Sequence, residues 1–273
     1  LDNMVYAFDS STISLCLKLC PWAKYRKNKG GIKMHTLVDL RGNLPVSVYL
    51  TSASVNDVKA LDDLYIEPSA IYLMDRGYVD FNRLFKLITK KNAFFVTRAK
   101  DNMLFEVVSE AEVDKSTGII SDERIKLTGL HTAKWYPEEL RMVTYEDYAT
   151  SKVYRFLTNN MEYEALTISE LYRERWNVEL YFKWIKQHLH IKSFYGTSEN
   201  AIYLQIWIAI CTYLLLAYAK KVMHIDQSLH TISKNVGLFL TDKTPLNELF
   251  NKAVPTEETE DWLYPSLFRP DDF

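Results

Sequence analysis

Five polar side chains share one face of a helical stretch that begins at Thr167. At about 100° per residue they fall on a single narrow stripe, which consists of Tyr172, Arg175, Glu179, Lys183 and Lys186. Such a stripe is either a solvated face with weak ion pairs or the wall of a groove that binds an anion. The rest of this helix is strongly apolar, which keeps the groove hypothesis as open as the solvated one.

Two aspartates follow short apolar runs of strand character. Asp9 ends a run that starts at Val5, and Asp75 follows the apolar residues 70–74. Open α/β sheets usually place site residues at the carboxyl ends of their strands, although a lone Asp there is more often a turn residue. With Glu179 they would give three carboxylates, a donor set that suits Mg²⁺. Two such ions can activate an attacking oxygen and stabilise the leaving oxygen of a phosphodiester.

Basic side chains cluster beside both aspartates. Those after the first are Lys24, Arg26, Lys27, Lys29 and Lys33. Such a run is usually solvated, but beside a metal site we favour contact with a DNA backbone. Arg76 directly follows Asp75 and either orients that carboxylate, touches phosphate or forms a surface ion pair.

The first hundred residues predict the order strand, strand, strand, helix, strand, helix, strand. Residues 41–43 read as a hairpin turn, Asn56 as the cap of a helix that reaches about Leu64, and Asp80 as the start of the next helix. Beyond Thr167 we expect one long helix to about His190. The chain is therefore expected to be an α/β protein.

An acidic segment interrupts this pattern. Residues 1–100 carry 15 basic and 9 acidic side chains, whereas residues 101–150 carry 5 and 11. Four short pieces of strand character between residues 104 and 157 predict a β-rich insertion. We divide the chain into a first core part (1–100), the insertion (101–157), a helical second core part (158–225) and a helical or irregular tail (226–273).

Composition excludes several classes of protein. With 273 residues, 48% hydrophobic residues and a net charge of −2, the chain can bury a core and is neither disordered nor fibrous. Three cysteines without a CxxC pair argue against zinc and disulfides and favour a reducing compartment. Residues 1–8 run straight into an apolar strand pattern without the features of a signal peptide, so we expect none. Residues 201–219 imitate a membrane span, but we expect a helix buried on every side and no membrane.

Three motifs resemble one family. The spacing Tyr172-x2-Arg175-x3-Glu179-x6-Lys186 is similar to the YREK signature of insertion-sequence DDE transposases of the IS-four type. Asp75-Arg76-Gly77-Tyr78 resembles the region of the second catalytic aspartate, and the segment from Asp9 to His35 resembles the region of the first. The resemblance covers residues 5–221.

The resemblance implies an RNase H-like catalytic core: a mixed five-stranded sheet with flanking helices and a β-rich insertion before the helix that carries the catalytic Glu. Asp9, Asp75 and Glu179 would be the catalytic residues and the ligands of a two-metal site for Mg²⁺, with Mn²⁺ as a substitute. Tyr172, Arg175 and Lys186 would contact the phosphates of the transposon end. The reaction would be hydrolysis at that end, followed by attack of its 3′-hydroxyl on target DNA.

The expected partners are therefore transposon terminal inverted repeats and target DNA, held by a homodimer in a synaptic complex in the bacterial cytoplasm, at the nucleoid when DNA is bound. Family members usually carry an N-terminal domain for end recognition. Fewer than ten residues precede Asp9, so we do not expect this chain alone to recognise ends specifically.

Two other functions remain open. An RNase H-like nuclease that cuts without joining would use the same carboxylates. A domesticated, non-catalytic DNA-binding protein would not need them, because bringing three like charges together costs free energy.

Overall fold

The computed structural model describes residues 3–188 and 194–239, together with residues 243 and 250. The predicted end of the long helix at His190 and nearly all of the tail from residue 240 onward lie outside these residues. Among the described residues the chain forms two compact units. The first comprises residues 3–12 and 33–179, and the second comprises residues 13–32 and the described residues from Leu180 onward.

The described strands form one ten-stranded mixed sheet in the order β2-β3-β1-β5-β6-β10-β9-β8-β7, with β4 also paired to β3. They are β1 (Val5–Leu15), β2 (Lys24–Arg26), β3 (Lys29–Asp39), β4 (Leu44–Ser52), β5 (Ile71–Met74), β6 (Phe94–Arg98), β7 (Phe105–Glu110), β8 (Ile119–Leu127), β9 (Leu140–Asp147) and β10 (Lys152–Thr158).

Parallel pairing at the centre of the sheet fixes its register. β1 pairs with β5 from Val5↔Ile71 to Phe8↔Met74, and β5 pairs with β6 from Ile71↔Phe94 to Met74↔Thr97. All four residues of β5 are buried, as expected for an apolar strand covered on both faces. The predicted α/β class is confirmed, and the five strands predicted in residues 1–100 are present, with β2 as an additional strand.

The insertion continues the sheet. β10 pairs antiparallel with β6. Outward from β10, the antiparallel neighbours are β9, then β8, then β7. The four predicted β segments are present. The predicted five-stranded core is thus extended at β6, so the insertion shares one compact unit with the core.

Each face of the sheet buries its own apolar cluster, because side chains alternate along a strand. Tyr6, Phe8, Tyr72 and Met74 belong to one cluster. Val5, Ile71 and Leu73 belong to the other, together with Phe156 and with side chains of a helix that covers this face.

Helices and helical turns connect the strands. They are a 3-10 helix (Asp57–Asp63), the irregular run α1 (Phe81–Arg83), a π-helix (Leu84–Ile88) and a 3-10 turn (Thr89–Lys91), then α2 (Thr132–Trp135), α3 (Ala165–Glu174), α4 (Trp176–His188), α5 (Glu199–Val222) and α6 (Leu229–Leu238). The predicted caps hold, since the Asn56 side chain accepts from Val58 N and that of Asp80 from Arg83 N.

The single helix predicted from Thr167 to His190 is wrong, because the chain breaks at Arg175 into α3 and α4. At the break the amide of Arg175 donates to the carbonyl of Tyr172, and the amide of Val178 donates to the carbonyl of Arg175. These bonds span three residues, the tighter spacing of a 3-10 turn.

The predicted burial of the apolar helix on every side is also wrong. α5 is long and apolar enough to cross a membrane, and 33% of its apolar window is buried. Ile206, Ile210 and Tyr213 are buried, whereas Trp207 and Leu215 are exposed. One apolar helix of this kind is weak support for membrane insertion.

A buried ion pair joins the insertion to the segment that leads into α3. Arg141 on β9 donates through Nε and Nη2 to both oxygens of Asp122 on β8, at 2.7 and 2.6 Å. Its Nη1 donates to the carbonyl of Tyr163 at 2.5 Å. The two paired side chains are 9% and 12% exposed, so removal of the guanidinium would leave Asp122 buried without its partner.

We predict that Arg141→Met lowers the free energy of unfolding by about 3–5 kcal/mol, the usual effect of breaking a buried pair on one side. The measurement is urea denaturation followed by circular dichroism. Arg41→Ala, which breaks an exposed pair with Asp39, should cost about 1 kcal/mol or less. Equal effects of the two substitutions would contradict the prediction.

Candidate active site

Asp9 and Asp75 lie at the same level on adjacent strands. The last parallel pair between β1 and β5 is Phe8↔Met74, and each aspartate is the next residue of its strand or chain. Neighbouring strands are about 4.8 Å apart, so this register brings the two carboxylates together at the carboxyl end of β5. β1 runs on to Leu15 and is longer than the sequence indicated.

Asp75 also caps a short helical turn. Its Oδ1 accepts from the amide of Gly77 at 2.9 Å, where a 3-10 turn (Arg76–Tyr78) begins. Asp75 is therefore a turn residue, and its role as a site residue stays a prediction. Arg76 is exposed and lies 3.8 Å from Asp101, which is the surface ion pair among its three alternatives.

Arg175 links the first aspartate to the glutamate. Its Nη1 lies 3.2 Å from Asp9 Oδ2 and its Nη2 lies 2.6 Å from Glu179 Oε1. The Arg175 and Asp9 side chains are only 13% and 18% exposed. The polar stripe is therefore tied to the sheet through a carboxylate–guanidinium–carboxylate bridge.

Packing of helix α3 against the sheet positions Arg175 and Glu179. Ile168, Leu171 and Tyr172 are buried in one apolar cluster with Phe156, at the i, i+3, i+4 spacing of a single helix face. The Tyr172 ring lies 4.9 Å from that of Phe156. Arg175 and Glu179 follow within two turns, so packing of α3 sets the position of both.

Tyr172 supports the guanidinium from within the core. The Arg175 guanidinium carbon lies 5.5 Å from the centroid of the Tyr172 ring, in a cation–π arrangement. The tyrosine is 4% exposed, and burial raises the pKa of its hydroxyl to about 12. The predicted contact of Tyr172 with a DNA phosphate stays a prediction.

The carboxylates around Arg175 act on the pKa of Asp9. Burial raises the pKa of Asp9 to about 7; Arg175 opposes this, and Glu179 and Asp75 reinforce it. Within the described residues, no group of three His, Cys, Asp or Glu side chains stands close enough to hold a metal ion. The carboxylate oxygens are nevertheless the kind of donor that a hard divalent cation prefers, and Arg175 bridges two of these carboxylates.

A second network lies beside Asp9 and was missed by the sequence analysis. The Ser10 hydroxyl donates to Asp57 Oδ1 at 2.5 Å, and Lys33 Nζ lies 2.9 Å from the same oxygen and donates to the carbonyl of Val55. Burial alone would raise the pKa of Asp57, but the hydrogen bonds from Ser10 and Lys33 lower it. The only signal for Asp57 was its place next to a helix cap.

This network also engages Lys33. Its side chain is 11% exposed, and its ammonium group contacts Asp57 and the carbonyl of Val55. Contact of Lys33 with DNA stays a prediction. Sequence proximity to other lysines could not reveal a partner 24 positions away.

The other predicted basic contacts lie in the second unit. Lys24, Arg26 and Lys29 are exposed on the hairpin of β2 and β3, where Lys24 pairs with Gly30 and Arg26 with Lys29. On α4, Lys183 is exposed and Lys186 is partly buried. Their contact with DNA stays a prediction.

Comparison with known proteins gives a consistent result. The family described as "Transposase DDE domain" matches residues 2–215. A putative transposase, y4zB, of Sinorhizobium fredii is 37% identical over 226 residues, which cover 81% of this chain and 62% of that protein. A probable transposase for the insertion sequence element IS5377 of Geobacillus stearothermophilus is 29% identical, covering 88% of this chain and 63% of that protein.

The chain thus spans a little under two thirds of the length of these relatives. Among solved structures, the piggyBac transposase in a synaptic complex with hairpin DNA is similar in fold, with a TM-score of 0.52 and 15% identity over 93% of this chain and 58% of that one. This likeness confirms the RNase H-like fold class.

We predict that Asp9→Asn stabilises the metal-free chain at pH 8 and not at pH 4. A raised pKa means that the folded state binds the Asp9 proton more tightly than the unfolded state, so stability is lost as pH rises from about 4 through about 7. At about 1.36 kcal/mol per pKa unit, the gain at pH 8 is roughly 4 kcal/mol.

The measurement is urea denaturation in EDTA at both pH values. Asp62→Asn is the control of opposite sign, because hydrogen bonds from Arg83 lower the pKa of Asp62. That variant should be less stable than the wild type at pH 8. A pH-independent effect of Asp9→Asn would refute the raised pKa.

Proposed function

Because this chain belongs to the family of transposase DDE domains, we propose that it is the catalytic core of a DNA transposase that cuts transposon ends and joins them to target DNA. One observation carries the proposal: parallel register brings Asp9 and Asp75 together, and Arg175 ties Asp9 to Glu179. Asp9 and Asp75 at the end of adjacent strands, and Glu179 joined to Asp9 through Arg175, support a site built from these three carboxylates.

Asp9, Asp75 and Glu179 are the residues that would hold two Mg²⁺ ions, or Mn²⁺ in their place. Such ions, when bound, activate an attacking oxygen and stabilise the leaving oxygen of a phosphodiester. The contribution of the chain itself is to fix the carboxylates. The Ser10–Asp57–Lys33 network and the buried β5 hold the two aspartates, and packing of α3 holds the glutamate.

Basic side chains would bind the DNA backbone. The exposed charges of Lys24, Arg26 and Lys29 suit phosphate contacts, and Lys183 and Lys186 follow Glu179 on α4. Arg76 is a weaker candidate, because its guanidinium already faces Asp101. Arg175 reaches phosphate only if it leaves its carboxylates.

Two transposon ends must be brought together for transposition, so we propose that the chain acts as a homodimer on DNA, at the bacterial nucleoid. The piggyBac transposase, which is similar in fold, was solved as a synaptic complex with hairpin DNA. A nuclease that cuts without joining is the second candidate, since it would use the same three carboxylates.

We predict that Asp75→Asn and Glu179→Gln each weaken Mn²⁺ binding at least tenfold and lower DNA nicking at least a hundredfold. The reason is the loss of one of three oxygen ligands. The measurements are calorimetric titration with Mn²⁺ and a plasmid-nicking assay. Asp101→Asn removes a highly exposed carboxylate and should change neither.

A second assay separates the two candidate functions. A 3′-hydroxyl oligonucleotide incubated with the chain, Mn²⁺ and a plasmid should yield joined products if the chain is a transposase core, whereas a nuclease should yield only nicked plasmid. Unchanged Mn²⁺ binding and unchanged nicking in both carboxylate variants would contradict the proposed site and leave the non-catalytic, DNA-binding role.

We predict that Lys24→Ala/Arg26→Ala/Lys29→Ala weakens binding to non-specific duplex DNA. The slope of log K against log salt concentration should fall in magnitude by about 0.9 per lost phosphate contact. Fluorescence anisotropy at several salt concentrations measures it. A matched triple variant of exposed lysines in the insertion, Lys115→Ala/Lys126→Ala/Lys134→Ala, should keep the wild-type slope; equal slopes for both triple variants would argue against the hairpin as a DNA contact.

A further inference from the structure

The guanidinium of Arg175 bridges two carboxylates of the candidate site. It bonds to Asp9 on β1 and to Glu179 on α4, two of the three proposed ligands. Its Nε is buried and has no hydrogen-bond partner in the part of the chain that the structure describes. Two of its three nitrogens, Nη1 and Nη2, thus contact carboxylates, and the third does not.

We infer that Arg175 is a built-in counter-cation that holds Asp9 and Glu179 in the metal-free chain and is displaced when a divalent cation binds to them. The inference rests on the proposed function of these carboxylates. The guanidinium occupies Asp9 Oδ2 and Glu179 Oε1 and carries the same sign of charge as the metal ion, so the two cations compete for these carboxylates.

Arg175 sits at the break between α3 and α4, where three-residue bonds replace the helical pattern. The Tyr172 ring is held in the core and lies against the guanidinium. The guanidinium can therefore stay on the face of this ring after it leaves the carboxylates. Metal binding then frees the planar donors of Arg175 for a DNA phosphate. Metal loading and phosphate binding at this site are thereby coupled.

A second arginine provides a matched comparison. Arg83 also bridges two carboxylates, Asp62 and Asp80, each at 2.8 Å. It is in the same compact unit as Arg175, but neither of its carboxylates is among the proposed metal ligands. A substitution of Arg83 therefore breaks the same kind of bridge without removing a competitor for metal.

The first experiment is calorimetric titration of the 273-residue chain with Mn²⁺. Arg175→Ala should bind Mn²⁺ about three- to tenfold more tightly than the wild type, because the competing cation is gone. Arg83→Ala should bind Mn²⁺ with unchanged affinity. Weaker or unchanged binding by Arg175→Ala would overturn the inference, since a residue that merely supports the site loses affinity when removed.

A second experiment uses the wild type alone and decides the matter if Arg175→Ala does not fold. Phenylglyoxal modifies free guanidinium groups, and mass spectrometry of peptides reports each arginine separately. Saturating Mn²⁺ should raise the modification rate of Arg175 several-fold and leave that of Arg83 unchanged. A rate for Arg175 that does not rise with Mn²⁺ would overturn the inference.

The two proposals fail differently. If the wild type does not bind Mn²⁺, or binds it equally well after Asp75→Asn, the proposed metal site is wrong. If Mn²⁺ binding requires Asp75, but Arg175→Ala does not bind Mn²⁺ more tightly and Mn²⁺ does not raise the modification rate of Arg175, only the displacement is wrong.

Discussion

The parallel pairing of β1 with β5 is the constraint on which the candidate site depends. Side chains alternate along a strand, so a shift of one residue would send Asp75 to the opposite face of the sheet from its present position beside Asp9. The register is held because both faces of these strands are buried: Tyr6, Phe8, Tyr72 and Met74 fill one cluster, and Val5, Ile71 and Leu73 fill the other. The carboxylates are thus positioned by apolar packing that they do not share.

The apolar packing brings carboxylates close to Asp9, and their charges disfavour its ionised form. Carboxylates that approach one another away from water are unfavourable unless a cation joins them. Arg175 fills that role for Asp9 and Glu179 in the structure, whereas Asp75 accepts from the amide of Gly77.

Sequence reasoning succeeded where a signal was local. The apolar run before Asp75 predicted a buried strand, and the four β pieces of the insertion were each recognisable from their own residues. It failed where distant partners decide the outcome. The pairing of Lys33 with Asp57, the break at Arg175 and the exposed face of α5 all depend on contacts that spacing along one helix or strand does not contain. The bridge from Arg175 to Asp9 joins residues 166 positions apart, and no periodicity in the sequence encodes it.

The insertion leaves and re-enters the sheet at adjacent strands. Arg98 at the end of β6 is paired with Phe156 on β10, and the amide of Ala99 donates to the carbonyl of Arg155. Everything between these points is, in topological terms, one long hairpin loop. Strands added beyond β7 would leave the path from β6 to α3 at its present length. β8 itself is not dispensable in this way, because it supplies Asp122 to Arg141 and Ile125 and Leu127 to the core. The outer edge is thus the part of the insertion where length changes disturb the candidate site least.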